Sequence, residues 1–120
     1  MNNDKLYLIH IIENIRDIQD FVTPGHDEFM QSKLMQNAVI RCFEIIGEAS
    51  RNLSEELRTG YPNVTWVQIS KFRNFLVHVY WAIDYEKVWE IIRDDLPVLK
   101  TQIEAILQEL GEPPQPPTEA

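Results

Sequence analysis

Residues 66–83 read Trp66-Val67-Gln68-Ile69-Ser70-Lys71-Phe72-Arg73-Asn74-Phe75-Leu76-Val77-His78-Val79-Tyr80-Trp81-Ala82-Ile83. At about 100° per residue, Ile69, Phe72, Leu76, Val79 and Ile83 fall on one stripe, which predicts a helix with that stripe against the core. Arg73 and Tyr80 lie on the shoulder of the stripe, and Phe75 on the opposite shoulder. Asn74, His78 and Trp81 point away from it, with Lys71 nearby. A helix that is apolar around most of its circumference is buried on both sides. In a chain this short, the simplest second cover is another copy of the same helix. The pattern therefore predicts a two-fold homodimer whose polar helix sides meet in a shared cleft. Arg73 and His78 do not share a face of an ideal helix. They converge if the helix is distorted near Val77 or if the guanidinium arm reaches round.

Outward from this stretch, Thr65 is placed as an N-cap, and Gln68 three residues later would complete a capping box. Thr59-Gly60-Tyr61-Pro62-Asn63 reads as a loop. In a first helix Leu8, Ile11, Ile12, Ile15, Ile18 and Val22 recur at helical spacing, ended by Thr23-Pro24-Gly25. A long second helix is predicted from near Asp27 to about Leu57, with Met35, Ala38, Val39, Cys42, Ile45, Ile46, Ala49 and Leu53 on its apolar side. Gly47 inside it costs up to ~1 kcal/mol relative to alanine, which close approach of another helix would offset. Asp84 is placed as the cap of a fourth helix carrying Val88, Ile91, Ile92, Leu96, Leu99, Ile103, Ile106, Leu107 and Leu110. Pro97 should kink or restart that helix, with Asp94 or Asp95 as a second cap. No strand-like alternation and no internal repeat is present. The expected fold is all-α, a four- to five-helix up-and-down bundle dimerising through the motif-bearing helix. Residues 1–111 form the helical domain, and residues 112–120 a proline-rich flexible tail.

Composition bounds the function. The chain has 120 residues, enough for one core, and is 44% hydrophobic. No apolar run reaches the ~20 residues of a membrane span, and the start lacks a basic region with a cleavage site, so a cytoplasmic protein is expected. The single cysteine, Cys42, excludes an intrachain disulfide and reads as a small core residue. A formal charge of −8 argues against a broad basic surface for duplex DNA, but leaves room for a small cationic pocket. His10, His26 and His78 are scattered, with no cysteine pair, no HExxH spacing and no glycine-rich phosphate loop. Neither a metal nor a cofactor is expected.

Within residues 73–80 the sequence gathers a permanent cation, a carboxamide, an imidazole and a phenol. Metal-free RNA cleavage needs a base for the 2′-hydroxyl proton, an acid for the leaving 5′-oxygen and a cation for the phosphate. His78 titrates in the range suited to the base or the acid, and a second His78 across a two-fold axis would supply the complementary role. Arg73 can hold the phosphate with a bidentate fork. Asn74 would bond the same phosphate or orient His78. Structural alternatives stand beside each assignment: a surface or interface role for His78, a salt bridge from Arg73 to Glu44 or Glu48, and a core ring with a rim hydroxyl for Tyr80. Trp81 is either a dimer contact or a base platform.

The string Arg73-Asn74-x-x-x-His78-x-Tyr80 resembles the signature of the HEPN superfamily, and more narrowly that of the HepT toxins. The resemblance extends to Gln36-Asn37-Ala38-Val39, Ile45-Ile46-Gly47-Glu48-Ala49, Trp66, Ile83-Asp84-Tyr85, and Val88-Trp89 through Asp95-Leu96-Pro97. It implies a dimeric helical bundle and metal-independent endoribonuclease activity on RNA. It also implies a partner, the MntA-like nucleotidyltransferase antitoxin. By position, Arg73 and His78 would be catalytic and Tyr80 the acceptor of AMP from the antitoxin; on their chemistry, Asn74 and Glu48 are placed as supporting residues. An added AMP would bring bulk and negative charge beside Arg73, in competition with RNA phosphate. The alternative is a non-catalytic nucleotide- or partner-binding helical module that works with the nucleotidyltransferase.

Overall fold

A computed structural model describes residues 3–73 and 83–111, Arg73 by its backbone alone. The described residues are helical throughout their regular elements. In chain order these are α1 (Asp4–Phe21), α2 (His26–Gln31), α3 (Lys33–Arg51), α4 (Glu55–Gly60) and α5 (Trp66–Ser70), which runs into a 3-10 turn (Lys71–Arg73). After the motif come α6 (Tyr85–Glu90), a π turn (Ile91–Asp95) and α7 (Leu96–Glu109).

The apolar stripe of α1 is the axis of the molecule. Leu8, Ile11, Ile12, Ile15 and Ile18 are each at most 1% exposed. They pack between α3, which brings Val39, Ile40, Phe43 and Ile46, and α7, which brings Leu96, Ile103, Ile106 and Leu107. Two contacts fix the directions. Asp4 at the start of α1 accepts hydrogen bonds from the Ser54 backbone N–H (2.8 Å) and hydroxyl (2.6 Å), just past the end of α3. Asp4 also shares a surface hollow with Leu110 at the end of α7. Both long helices therefore run antiparallel to α1, as an up-and-down arrangement requires.

The single second helix expected over residues 27–57 is three helices. At Ser32 the backbone is extended (φ −102°, ψ 107°), and the Ser32 hydroxyl accepts from the Met35 N–H at 3.1 Å to cap α3. Gln36 makes the break tolerable. Its buried amide donates to the carbonyls of Phe29 (3.0 Å) and Met30 (3.2 Å), which the end of α2 leaves without a helical partner. The second break follows Arg51, where Ser54 caps α4 by accepting from the Leu57 N–H at 3.0 Å. α4 also takes in Thr59 and Gly60, so the loop before α5 begins at Tyr61.

Two expected caps are absent. Thr65 stands at the N-cap of α5 without a side-chain bond, so the capping box with Gln68 does not form. The Trp66 indole N–H instead donates to the Tyr61 carbonyl at 3.0 Å and ties down the entry to α5. Near Pro97 neither Asp94 nor Asp95 caps a new helix. Asp94 is engaged by Arg93 through two bonds of 2.7 Å, and Asp95 makes no cap bond. Pro97 is accommodated by the π turn. The wider turn relieves the clash between the proline ring and the Arg93 carbonyl, and the chain stays helical. Asp84 does cap α6, accepting from the N–H groups of Glu86 (3.1 Å) and Lys87 (3.2 Å). Cys42 is a core residue, and burial pushes its thiol up to about 11.

Candidate functional site

Trp66 and Ile69 are buried, which orients α5 toward α3. The chain then tightens into the 3-10 turn, and Phe72 meets Phe43 of α3 edge-to-face, ring centroids 4.9 Å apart at 73°. That aromatic contact sets the backbone of Arg73 alongside α3. Asn74, His78 and Tyr80, with Phe75 and Trp81, lie outside the described residues, as does the Arg73 side chain.

The chain returns at Ile83, which is partly buried, and Asp84 starts α6. α6 is fastened to α2 by His26. The His26 Nε2 lies 3.0 Å from both oxygens of Glu86, and its Nδ1 lies 2.9 Å from Asp27. The ring also meets Trp89 edge-on at 5.4 Å, and Trp89 lies 5.6 Å from Phe29. Ionised carboxylates only accept hydrogen bonds, whereas a neutral imidazole has one N–H, so the doubly protonated ring satisfies both partners. The hydrogen bond to Asp27, then that to Glu86, holds the His26 pKa above its ordinary value. Residues 73 and 83 thus bracket the motif, and each bracket is anchored by an aromatic pair to the buried body.

Glu48 is exposed on α3, beside a groove of about 370 Å³ that it lines with Tyr7, His10, Arg41 and Glu44. Arg41 is paired with Glu44, which already engages one of the two carboxylates considered for Arg73. A larger cleft, about 650 Å³, lies between α5 with its 3-10 turn and the start of α7. Gln68, Lys71, Phe72, Asp95, Leu99 and Gln102 are among its walls. Lys71 and Phe72 immediately precede Arg73, so the cleft opens next to the first residue of the motif. Sequence patterning had no access to this cleft, because its two walls are about thirty residues apart in the chain.

The model of the family described as "Ribonuclease HepT-like" matches residues 11–106, a span that includes Arg73, His78 and Tyr80. The chain belongs to the HepT-like ribonuclease family. It is 39% identical over 103 residues to "Putative RNase MJ1380" of Methanocaldococcus jannaschii, covering 85% of this chain and 94% of that one. It is 35% identical over 103 residues to "Probable ribonuclease HepT" of Thermococcus cleftensis, with the same coverage of each chain. A third relative, "Putative RNase TTE0752" of Caldanaerobacter subterraneus, is 33% identical over 109 residues, covering 90% of this chain and 97% of that one. No solved structure gives a significant match. At the level of the family, the HepT-like chain is a ribonuclease with an all-helical fold. Among the described residues no helix is long and apolar enough to cross a membrane.

Proposed function

We propose that this HepT-like protein is a metal-independent endoribonuclease, the toxin of a toxin–antitoxin pair, and that it works as a homodimer. The observation that carries the reading is the placement of Arg73-Asn74-x-x-x-His78-x-Tyr80 inside the span matched by a ribonuclease family. One His78 takes the proton of the ribose 2′-hydroxyl. The 2′-oxygen then bonds to phosphorus, and the bond from phosphorus to the 5′-oxygen breaks. The His78 of the second copy gives the departing oxygen its proton. Arg73 neutralises charge that builds on the phosphate, with Asn74 as a further donor. Glu48 supports the guanidinium from α3, against which the backbone of Arg73 is packed.

Control is assigned to a nucleotidyltransferase antitoxin. The Tyr80 oxygen attacks the α-phosphorus of ATP, loses its proton and displaces pyrophosphate. The resulting AMP ester sets a negative group beside Arg73 and occupies the place of the RNA phosphate. The decisive experiment incubates partner-free protein with RNA in EDTA. Wild type is expected to cut, while His78→Ala keeps its circular dichroism spectrum and loses cleavage. Equal cutting by both would remove His78 from the mechanism. Intact mass after mixing with the antitoxin and ATP should rise for wild type, not for Tyr80→Phe.

A further inference from the structure

We infer that the cleft between α5 and the start of α7 is a nucleobase subsite for the RNA strand, selective for bases that carry an exocyclic amino group. The inference rests on the ribonuclease reading for its substrate class, and on the cleft itself for its selectivity.

Lys71 and Phe72 line the cleft and lead directly into Arg73, so a nucleotide flanking a phosphate held there would meet these walls. At about 650 Å³ the space falls in the range of small-ligand sites and is ample for a nucleoside. Phe72 and Leu99 supply apolar surface for the face of a base, and Phe72 is braced from behind by Phe43.

Among the polar walls, which include Asn63, Thr65 and Gln68, two acceptors bear on the selectivity. Asp95 occupies the N-cap position of α7 yet makes no cap bond, so its exposed carboxylate is available as an acceptor at the cleft wall. Gln102 commits one amide N–H to the Asn63 carbonyl at 3.3 Å, and its amide oxygen remains an acceptor. Acceptors at a base edge select amino groups: those of cytosine, adenine and guanine. Uracil has none. The cationic Lys71 then serves the backbone phosphate. The chain as a whole carries a formal charge of −8, so hydrogen bonding and stacking, rather than general charge, must provide the discrimination.

The test uses the full wild-type chain and labelled, non-cleavable 2′-O-methyl octamers of cytidine, adenosine and uridine, with binding read by fluorescence anisotropy. Cytidine and adenosine octamers should bind about tenfold tighter than the uridine octamer, as expected for one well-made base contact. Asp95→Asn, whose amide can donate to a uracil carbonyl, should reduce that ratio to near one. Thermal melting checks that the variant is folded. Equal binding of all three octamers to wild type overturns the inference, as does a ratio unchanged in Asp95→Asn. A fall in particle mass by light scattering on Val98→Glu also overturns it, because the cleft would then be covered by a second copy. Cleavage of the matching RNA octamers, followed in parallel, separates the two readings. Selective binding without cutting keeps the subsite and sinks the nuclease; cutting without selectivity does the reverse.

Discussion

Asp4 is one of the few buried charged groups in the described part of the molecule, at 7% exposure, and it closes the end of the bundle. Its two oxygens accept from the Ser54 N–H and hydroxyl, while the same hydroxyl caps α4. Asp4→Ala strands these donors and should cost about 2–3 kcal/mol in urea unfolding, in the range for an ionic hydrogen bond lost at a partly buried site. Asp4→Asn should recover part of that loss. His26 carries the pH dependence. With its folded pKa raised above the ordinary 6.5 by Asp27 and Glu86, its stabilising effect is complete below that value and fades as pH climbs through the folded pKa. His26→Gln should therefore melt below wild type at pH 6, and the two melting curves should converge near pH 9. A gap that widened with rising pH would contradict the assignment.

Individual elements carry the route into and out of the motif. Phe43 is fully buried and holds the 3-10 turn through Phe72. Phe43→Ala should lower stability by about 3–5 kcal/mol, the cost of an aromatic cavity, and weaken RNA cleavage further by freeing the backbone at Arg73. Chemical denaturation and cleavage rates under stable conditions would separate the two effects. Asp84→Ala removes the cap of α6 and should cost about 1 kcal/mol in the same unfolding assay. The helical stripes of α1 and α7 were legible in sequence because each repeats an apolar residue every three or four positions over several turns. The breaks at Ser32 and Ser54 were not. Serine is common within and beside helices, and what makes these two stop signals is Gln36 and Asp4, whose contacts form only in the folded chain. Ile40 and Phe43 escape the apolar periodicity for a related reason. They belong to the side of α3 that becomes interior only when α5 and α1 both pack on it.

For the whole molecule, the doubly apolar character of residues 66–83 makes a dimer the expected state. Light scattering should give twice the mass of one chain, and Trp81→Glu should shift it toward the monomer and abolish cleavage together. Dissociation with cleavage retained would detach the activity from the paired His78 groups. The formal charge of −8 gives a second expectation. With Lys71 and Arg73 the only Lys or Arg in residues 66–83, RNA affinity should fall only gently with salt, a logarithmic slope of about −0.7 to −1.4 for one or two phosphates on a single strand. A steep slope would point to a wider basic footprint elsewhere.

By itself the amino-acid sequence determined the all-helical class, the cap at Asp84, the core role of Cys42 and the family, because periodic burial and local spacing are properties of contiguous residues. The resemblance also named Arg73, His78 and Tyr80 by pattern. Only the tertiary structure decided where helices end against one another, how Pro97 is absorbed by a π turn, and which distant walls make the cleft beside Arg73. Those outcomes depend on hydrogen bonds and packing between segments far apart in the chain, and no local period records such pairings.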